Sequence, residues 1–297
     1  MSTLQATRAS VSLHQVAADY VSLTKPTIVG LLVATALAAM VVAAHGRPHL
    51  LAMVAVIVGG SLAAGGAHAI NCWYDRDIDS LMSRTRRRPI PDGRIPAWHA
   101  LVLGIAMNVV AFAVLWAWAN LLAAGLALLA TLIYVFVYTV WLKRSTPQNI
   151  VIGGAAGAIP PLVGWAAVTG GLDLTAASLF LVIFLWTPPH FWALAQLIAR
   201  DYRQAGVPMM PVVSSARWTK WQSVGYAVAT AVVSVVPYFT GDVGAIYLVA
   251  AVVLGVGLVG VSVLDLRGRR WTVPLFAYSI AYLAALFTVL AIAGLFA

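Results

Sequence analysis

The sequence predicts an all-α fold: a polytopic membrane protein built as a bundle of nine transmembrane helices with a central cavity. Apolar residues make up 62% of the 297-residue chain and charged residues only 9%, whereas a soluble domain carries roughly 25% charged residues. The apolar residues also form continuous runs, which are typical of helices that cross a bilayer, instead of the alternating pattern of barrel strands.

The apolar runs account for the predicted spans in order. A helix crosses the hydrocarbon with about 20 apolar residues. Runs of this kind lie near residues 26–45, 50–70, 98–118, 120–141, 149–169, 174–198, 222–240, 243–264 and 274–295. We expect residues 1–22 to form a polar cytoplasmic N-terminal segment and residues 23–297 a single transmembrane domain. The connections 71–97 and 199–221 are unusually long, which indicates function.

Glycine and proline inside the spans predict how the helices pack. Glycine pairs, as at residues 65–66 and 153–154, allow helices to approach closely. Pro160-Pro161 and Pro188-Pro189 each remove backbone hydrogen bonds and should kink a helix. Because freed carbonyl groups in a bilayer must face protein or a wet cavity, two such breaks predict an internal cavity.

The basic residues predict the topology. All 18 Lys and Arg residues except Arg47 fall on one side of the nine-span arrangement. Positively charged loops stay inside, so the N-terminus should be cytoplasmic and the C-terminus external. Arg8, His14 and Asp19 make the first residues too polar for a signal peptide. The net charge of +9 therefore reflects topology and does not argue for nucleic acid.

The acidic residues cluster at the end of the second span. The chain has nine Asp and no Glu, and Asp75, Asp77 and Asp79 lie within five positions. Asn71, Asp75 and Asp79 are four residues apart, which places them on one face of a helix. Hard oxygen ligands of this kind suit Mg²⁺, which completes its shell with water and phosphate. The alternative is a solvated helix end whose acids pair with Arg76 and Arg84.

Basic and aromatic residues on the same side could hold an anion. Arginine binds phosphate through its planar fork, and within the basic run of residues 84–88 Arg84 lies nearest to Asp79 in sequence. Arg86 to Arg88 equally suit anionic lipid. The further candidates for anion binding are Lys25, Tyr138, Lys143 and Arg144.

Three further residues are candidates near this cluster. Asp201 follows the sixth span and could complete the metal site, or it could pair with Arg200 or Arg203. His68 and His190 lie within predicted spans. A membrane-buried imidazole can be a packing residue, a general base or an iron ligand. The single Cys72 excludes an intramolecular disulfide.

At these residues the chain resembles the intramembrane prenyltransferase superfamily, which includes the enzymes that prenylate ubiquinone, menaquinone and chlorophyll precursors. The shared pattern is Asn-x-x-x-Asp-x-x-x-Asp, here Asn71, Asp75 and Asp79. The strings at residues 24–26, 71–91, 138–165 and 187–211 are most similar to the heme-farnesylating branch. The resemblance covers about residues 20–295. Many members carry a second acidic pair after the sixth span, whereas here Asp201 stands alone.

The resemblance implies transfer of farnesyl from farnesyl diphosphate to a vinyl group of heme b, in a nine-helix bundle of the bacterial inner membrane. It implies one or two Mg²⁺ ions held by Asn71, Asp75, Asp79 and Asp201, with Lys143 assisting catalysis. The substrate-binding residues would be Asn71, Lys25, Arg84, Tyr138, Lys143, Arg144, His68 and His190. The active site would face the cytoplasm, and partners would include heme A synthase or cytochrome oxidase assembly proteins.

Three alternatives remain at this point. A quinone-ring or chlorophyllide prenyltransferase would use the same chemistry on another acceptor. A transporter would suit broken helices and a possible repeat, although the charges concentrate at one membrane face instead of the midplane. A heme-binding assembly factor without catalysis would keep its function when Asp75 is neutralised.

Overall fold

A computed structural model describes residues 12–296, and every regular element within this range is a helix. Residues 1–11, including Arg8, lie outside the described residues, and they make up half of the predicted N-terminal segment. The elements are α1 (Leu13–Leu23), α2 (Pro26–Ala43), α3 (Leu50–Tyr74), α4 (Arg76–Leu81), α5 (Ala97–Trp118), α6 (Leu121–Leu132), α7 (Asn149–Ala158), α8 (Pro160–Thr169), α9 (Leu174–Leu197), α10 (Ala199–Gln204), α11 (Met210–Val213), α12 (Ala216–Val233), α13 (Val236–Phe239), α14 (Ala245–Asp265) and α15 (Thr272–Gly294).

Within residues 12–296, nine helical segments are long and apolar enough to cross a membrane. They are α2, α3, α5, α6 with its extension to Arg144, α7 with α8, α9, α12 with α13, α14, and α15 with the short 3₁₀ turn Arg269–Trp271 before it. The predicted fold class is therefore confirmed. Side-chain caps fix several helix starts, because Asn120, Asp173 and Ser215 each accept a backbone N–H of the first turn.

Two helix ends differ from the predicted spans. Helix α3 runs to Tyr74, past the predicted end at 70, and carries Asn71 on its last turn. Helix α12 begins at Ala216 instead of 222. Its first turns contain Lys220, and hydropathy therefore starts the predicted span too late. The Lys220 ammonium is buried against Asp265, which allows a charged residue within a buried helix.

Only one of the two predicted proline breaks occurs. The fifth span divides at Ile159 into α7 and α8, with Pro160 at the first position of α8. Helix α9 continues through Pro188 and Pro189, so the prediction of a broken sixth span was wrong. Both prolines are buried, and the Thr187 hydroxyl donates to the Ile183 carbonyl one turn earlier. The helix therefore stays continuous within the packed bundle where sequence alone predicts a break.

The end of α6 is irregular in a way that the sequence does not reveal. Residues Ile133–Trp141 form a π-helix, followed by a 3₁₀ turn at Leu142–Arg144. The Thr139 hydroxyl donates to the Tyr134 carbonyl at 2.8 Å within this stretch. π-Helical stretches occur frequently at functional sites, and this one carries two of the tyrosines that face the cavity described next.

A cavity of about 410 Å³ lies between α2, α3, α6, α7 and α9. Most of its wall is apolar, including Leu32, Val56 and Val163. Glycines let the surrounding helices approach: a Cβ at Gly66 of α3 would lie 2.7 Å from the Gly104 carbonyl of α5. The predicted cavity is present. Its surrounding helices pack closely at glycines, and only one of the two predicted proline breaks occurs. Polar and charged side chains gather at one end of it.

Candidate active site

Asn71, Asp75 and Asp79 lie in register at the junction of α3 and α4. The backbone N–H of Asp75 donates to the Asn71 carbonyl (2.9 Å), and that of Asp79 donates to the Asp75 carbonyl (2.8 Å). The helical ladder therefore continues across the junction, although α3 ends at Tyr74. All three side chains are buried, whereas Asp77 is 59% exposed. The four-residue spacing thus keeps these three polar groups together, and their role as metal ligands stays a prediction.

Each member of this trio contacts a basic side chain or another member. Lys143 forms an ion pair with Asp75, and Arg88 Nη1 donates to Asp79 Oδ2 at 2.7 Å. Lys25 Nζ donates to Asn71 Oδ1 at 3.2 Å, while Asn71 Nδ2 donates to Asp75 Oδ2 at 2.6 Å. The alternative of a solvated helix end requires these acids to pair with Arg76 or Arg84, and they do not.

Lys25 has an unusual backbone conformation. Its φ is +52°, in the left-handed region that residues other than glycine rarely adopt, and Pro26 follows at the start of α2. Strained residues of this kind cluster at functional sites. Burial lowers the pKa of the Lys25 ammonium to about 8, because removing a charge from water disfavours it. An anion bound beside Lys25 would raise this pKa, because it stabilises the charged form.

Two arginines of the loop between α4 and α5 reach the same cavity, which is lined by both Arg84 and Arg88. Arg88 was one of three arginines for which lipid binding was equally plausible, yet it is the one that contacts Asp79. Arg86 and Arg87 are exposed. The sequence could not separate these neighbours because the loop's turns decide which guanidinium points inward.

Arg144 lies beside the site and not in the cavity wall. Its guanidinium donates to both Asp77 oxygens, at 2.6 and 2.7 Å, and lies 3.5 Å from Asp75 Oδ1. It also covers the Tyr74 ring, 4.8 Å from its centroid. The hydrogen bond from Arg144 lowers the pKa of Asp77. Arg144 therefore links α4 to the end of α6, and its predicted role in substrate binding stays a prediction.

Asp201 does not join the trio. Both of its carboxylate oxygens accept from Ser83 Oγ, at 2.9 and 2.8 Å. Across residues 12–296, no three side chains among His, Cys, Asp and Glu lie close enough to hold a metal. The predicted four-ligand set is thus not assembled here, because Asp201 is hydrogen-bonded to Ser83 in the turn that follows α4. The adjacent Tyr202 does line the cavity, and burial raises the pKa of its hydroxyl to about 12.

The two candidate histidines have different surroundings. His68 lines the cavity, and its Nδ1 lies 3.1 Å from the Tyr134 hydroxyl. His190 stacks between Trp186 and Phe276, at centroid distances of 4.3 and 5.0 Å. Its Nδ1 lies 2.7 Å from the hydroxyl of Ser279 in α15. His190 thus packs α9 against α15 and is not among the residues that line the cavity, and its contact with heme stays a prediction.

Aromatic residues of the π-helix form one wall above the acids. Tyr134 and Tyr138 stack at 5.5 Å, and the edge of His68 meets Tyr134. Thr139 Oγ1 accepts from Asn71 Nδ2 at 3.1 Å, and this contact joins the π-helix to the polar trio. Of these, Tyr134 and Thr139 were missed; the four-residue spacing of Tyr134 from Tyr138 was a signal that could have found Tyr134.

The fold and the site together define a class of protein: an intramembrane enzyme with a charged cluster over an apolar chamber. The chain belongs to the UbiA prenyltransferase family, whose sequence pattern matches residues 32–280. This confirms the predicted superfamily.

Curated relatives are similar over almost the whole chain. A protoheme IX farnesyltransferase of Symbiobacterium thermophilum is 54% identical over 277 residues, which are 92% of this chain and 93% of that protein. One from Gloeobacter violaceus is 52% identical over 281 residues, covering 94% of this chain and 92% of the relative. One from Roseiflexus sp. is 52% identical over 277 residues, but the chain spans only 52% of that longer protein.

Solved structures share the fold at low sequence identity. A structure of digeranylgeranylglyceryl phosphate synthase superposes with a TM-score of 0.79 at 16% identity, covering 95% of this chain and 99% of the other. A UbiA homologue from Archaeoglobus fulgidus, bound to DMAPP and Mg²⁺, gives a TM-score of 0.65 at 17% identity, covering 92% of this chain and 99% of the other. These likenesses establish the architecture of an integral membrane protein.

Proposed function

We propose that this chain transfers the farnesyl group of farnesyl diphosphate to a vinyl group of heme b, giving heme O and diphosphate. Water adds in the same overall reaction and supplies the hydroxyl of the new hydroxyethylfarnesyl substituent. Relatives named protoheme IX farnesyltransferase, at 54% and 52% identity over more than nine-tenths of the chain, support this acceptor. The structural observation that supports the proposal most directly is the cluster of acids and cations at the polar end of an apolar cavity.

The donor set fits a magnesium diphosphate. Asn71, Asp75 and Asp79 offer oxygen atoms, the ligands that Mg²⁺ prefers. Asp75 Oδ1 is buried and has no hydrogen-bond donor among the described residues, which leaves one oxygen available to a cation. Magnesium, when bound here, would neutralise the diphosphate and so make it a better leaving group. Asp201 would enter the ligand set only if Ser83 released it.

The basic residues bind and orient the diphosphate in this proposal. Lys25, Lys143 and Arg88 converge on the trio from three separate elements, and Arg84 lines the same end of the cavity. Cations fixed before the substrate arrives stabilise the negative charge that develops on the leaving group. Their origin in α2, α6 and the α4–α5 loop fixes the headgroup from several directions.

The apolar part of the cavity holds the farnesyl chain and protects the reacting carbon. Leu32, Val56 and Val163 supply an oily wall, which excludes the water that would trap an allylic cation early. The stacked rings of Tyr134 and Tyr138 lie near the headgroup, where a developing cation can interact with their π faces. His68 Nε2 is the imidazole nitrogen left for a heme contact, because Nδ1 faces Tyr134.

The orientation in the membrane belongs to the same proposal. The trio lies on one side of the bundle, and that side also carries every Lys and Arg of residues 12–296 except Arg47. We place this end in the cytoplasm of a bacterial cell, where the inner membrane would supply both substrates. Heme A synthase and cytochrome oxidase assembly proteins are the partners to test for product transfer.

The direct test uses the purified protein in lipid nanodiscs with farnesyl diphosphate and heme b. We expect the extracted porphyrin to gain the mass of one farnesyl group and one hydroxyl group, only when Mg²⁺ is present. A parallel reaction offers a hydroxybenzoate in place of heme b. Prenylation of the hydroxybenzoate alone would replace heme b with a quinone-ring acceptor. Transport of substrate into liposomes with no change in mass would exclude a transferase.

A further inference from the structure

Helix α1 is joined to the α4–α5 loop, defined as residues 82–96, by an ion pair whose carboxylate is buried. Arg94 Nε donates to Asp19 Oδ2 at 2.9 Å, and Arg94 Nη2 donates to Asp19 Oδ1 at 3.2 Å. This is the bidentate geometry of a strong charge-assisted contact. Asp19 is only 6% exposed, although α1 precedes the first membrane span. A buried carboxylate outside the catalytic cluster requires an explanation in a chain with so few acids.

The same arginine also holds the backbone of the loop. Arg94 Nη2 donates to the Arg87 carbonyl at 3.3 Å, and the Arg94 N–H donates to the Pro89 carbonyl at 2.9 Å. These two bonds bracket Arg88, whose guanidinium reaches Asp79. The position of Arg88 is therefore fixed from both sides by Arg94, which Asp19 holds in turn.

An apolar cluster holds the two segments together. Leu23 at the end of α1 packs in one buried group with Ile90 and Ile95 of the loop, and with Cys72 of α3. The hydrophobic contact secures the helix on the loop, but it has no direction. The bidentate ion pair fixes the orientation of α1 on the loop, because a planar guanidinium can donate two hydrogen bonds to a carboxylate in only a few orientations.

We propose that Asp19 is a positioning residue for the diphosphate site. It orients Arg94, Arg94 holds the backbone on either side of Arg88, and Arg88 is thereby presented to Asp79 and to the diphosphate. This inference rests on the proposed function, since it concerns how the headgroup of farnesyl diphosphate is bound. Helix α1 thus becomes part of the binding machinery.

Asp92 offers a matched control. It pairs with the same Arg94 from within the same loop, but its side chain is 47% exposed. Asp19→Asn and Asp92→Asn each remove one carboxylate partner of one arginine. Only the first removes the link to α1. If Asp19 merely adds surface charge, the two variants should behave alike.

The test measures steady-state kinetics in nanodiscs for wild type, Asp19→Asn and Asp92→Asn. We expect Asp19→Asn to raise KM for farnesyl diphosphate about tenfold while KM for heme b stays within about twofold, the pattern of lost binding at one subsite. Asp92→Asn should match wild type. Equal effects on both KM values, or equal effects of the two substitutions, would overturn the proposal.

A second measurement separates positioning from loss of fold. Asp19→Asn is added to Arg88→Gln; because both act through the same guanidinium, the double variant should bind no more weakly than Arg88→Gln alone. Additive effects would contradict the proposal. If Asp19→Asn unfolds, the half-exposed Arg94→Gln takes its place in the same series.

Calorimetric titration with inorganic diphosphate and Mg²⁺ distinguishes the two levels of inference. Wild type that binds diphosphate beside an Asp19→Asn variant that binds it about tenfold more weakly supports both. Equal binding in the two proteins overturns the role of Asp19 and leaves the proposed function intact. A wild-type protein that binds no diphosphate overturns the proposed function, and the role of Asp19 fails with it.

Discussion

Two buried ion pairs at the basic ends of the helices have the same chemistry and different surroundings. Lys143 and Asp75 lie beside the cavity, where Lys25 and Arg88 add further positive charge. Lys220 and Asp265 join α12 to α14; Lys220 also donates to the Asp265 carbonyl, and Thr272 of α15 donates to the Asp265 carboxylate. The first pair belongs to an excess of cations facing a chamber. The second pair is enclosed by α12, α14 and α15.

The two ion pairs therefore differ in role. The pair of Lys143 and Asp75 belongs to a binding site, and the pair of Lys220 and Asp265 holds helices together. A buried ion pair is weak evidence for function or stability by itself, since desolvation offsets much of the attraction. Surplus positive charge at a cavity is the distinguishing feature, because it is unfavourable until an anion arrives. At Asp75 we therefore expect catalytic effects, and at Asp265 effects on stability.

The largest expected effect is on catalysis at Asp75. Asp75→Asn keeps a polar group of the same size, so the protein should fold, but it removes a charged metal ligand. Farnesyl transfer should fall by about 10²–10³-fold, the usual consequence of losing a preorganised electrostatic contact. Product mass and the thermal midpoint measured together check this. Activity above one-tenth of wild type would place the metal site elsewhere.

The structural pair should respond in the opposite way. Lys220→Met leaves Asp265 buried without its cation and should reduce the free energy of unfolding by about 3–5 kcal/mol. Turnover per folded molecule should stay near wild type, because neither residue faces the cavity that holds the trio. Thermal unfolding in nanodiscs, with activity normalised to folded protein, measures both. A stable variant that has lost activity would show that the comparison is wrong.

Arg88 and Arg86 sharpen the comparison within one loop. Arg88→Gln removes the partner of Asp79 and should weaken binding of farnesyl diphosphate about tenfold, as expected for one charge-assisted hydrogen bond of roughly 1.5–3 kcal/mol. Arg86→Gln alters an exposed side chain in the same loop and should leave that affinity unchanged. Titration of the diphosphate substrate into both variants provides the measurement. Equal losses in the two would mean that only the loop's total charge matters.

The smallest effect concerns the histidines. His190→Phe keeps the stacking with Trp186 and Phe276 and loses one hydrogen bond to Ser279, which contributes about 1 kcal/mol. Its affinity for heme b should match wild type, whereas His68→Phe should lower that affinity. Heme titration followed by absorbance checks the pair. Loss of heme binding in His190→Phe alone would reverse the assignment.

The sequence predicted much of the architecture because membrane constraints are simple. Apolar length located the spans, and the four-residue spacing placed Asn71, Asp75 and Asp79 together, since both follow from helix geometry. The π-helix around Tyr134 could not be predicted, because it depends on packing and not on local pattern. Only the turns of the α4–α5 loop select Arg88 over its neighbours. The continuity of α9 through Pro188 likewise depends on helices remote in sequence.

The most direct test of the account measures binding of farnesyl diphosphate to the wild-type protein in nanodiscs, with Mg²⁺ and with the metal chelated. The account predicts binding that requires Mg²⁺ in wild type, is lost in Asp75→Asn and Asp79→Asn, and survives in the folded fraction of Lys220→Met. Undiminished binding by both aspartate variants, or binding indifferent to Mg²⁺, would contradict the claim that this acidic cluster anchors the diphosphate.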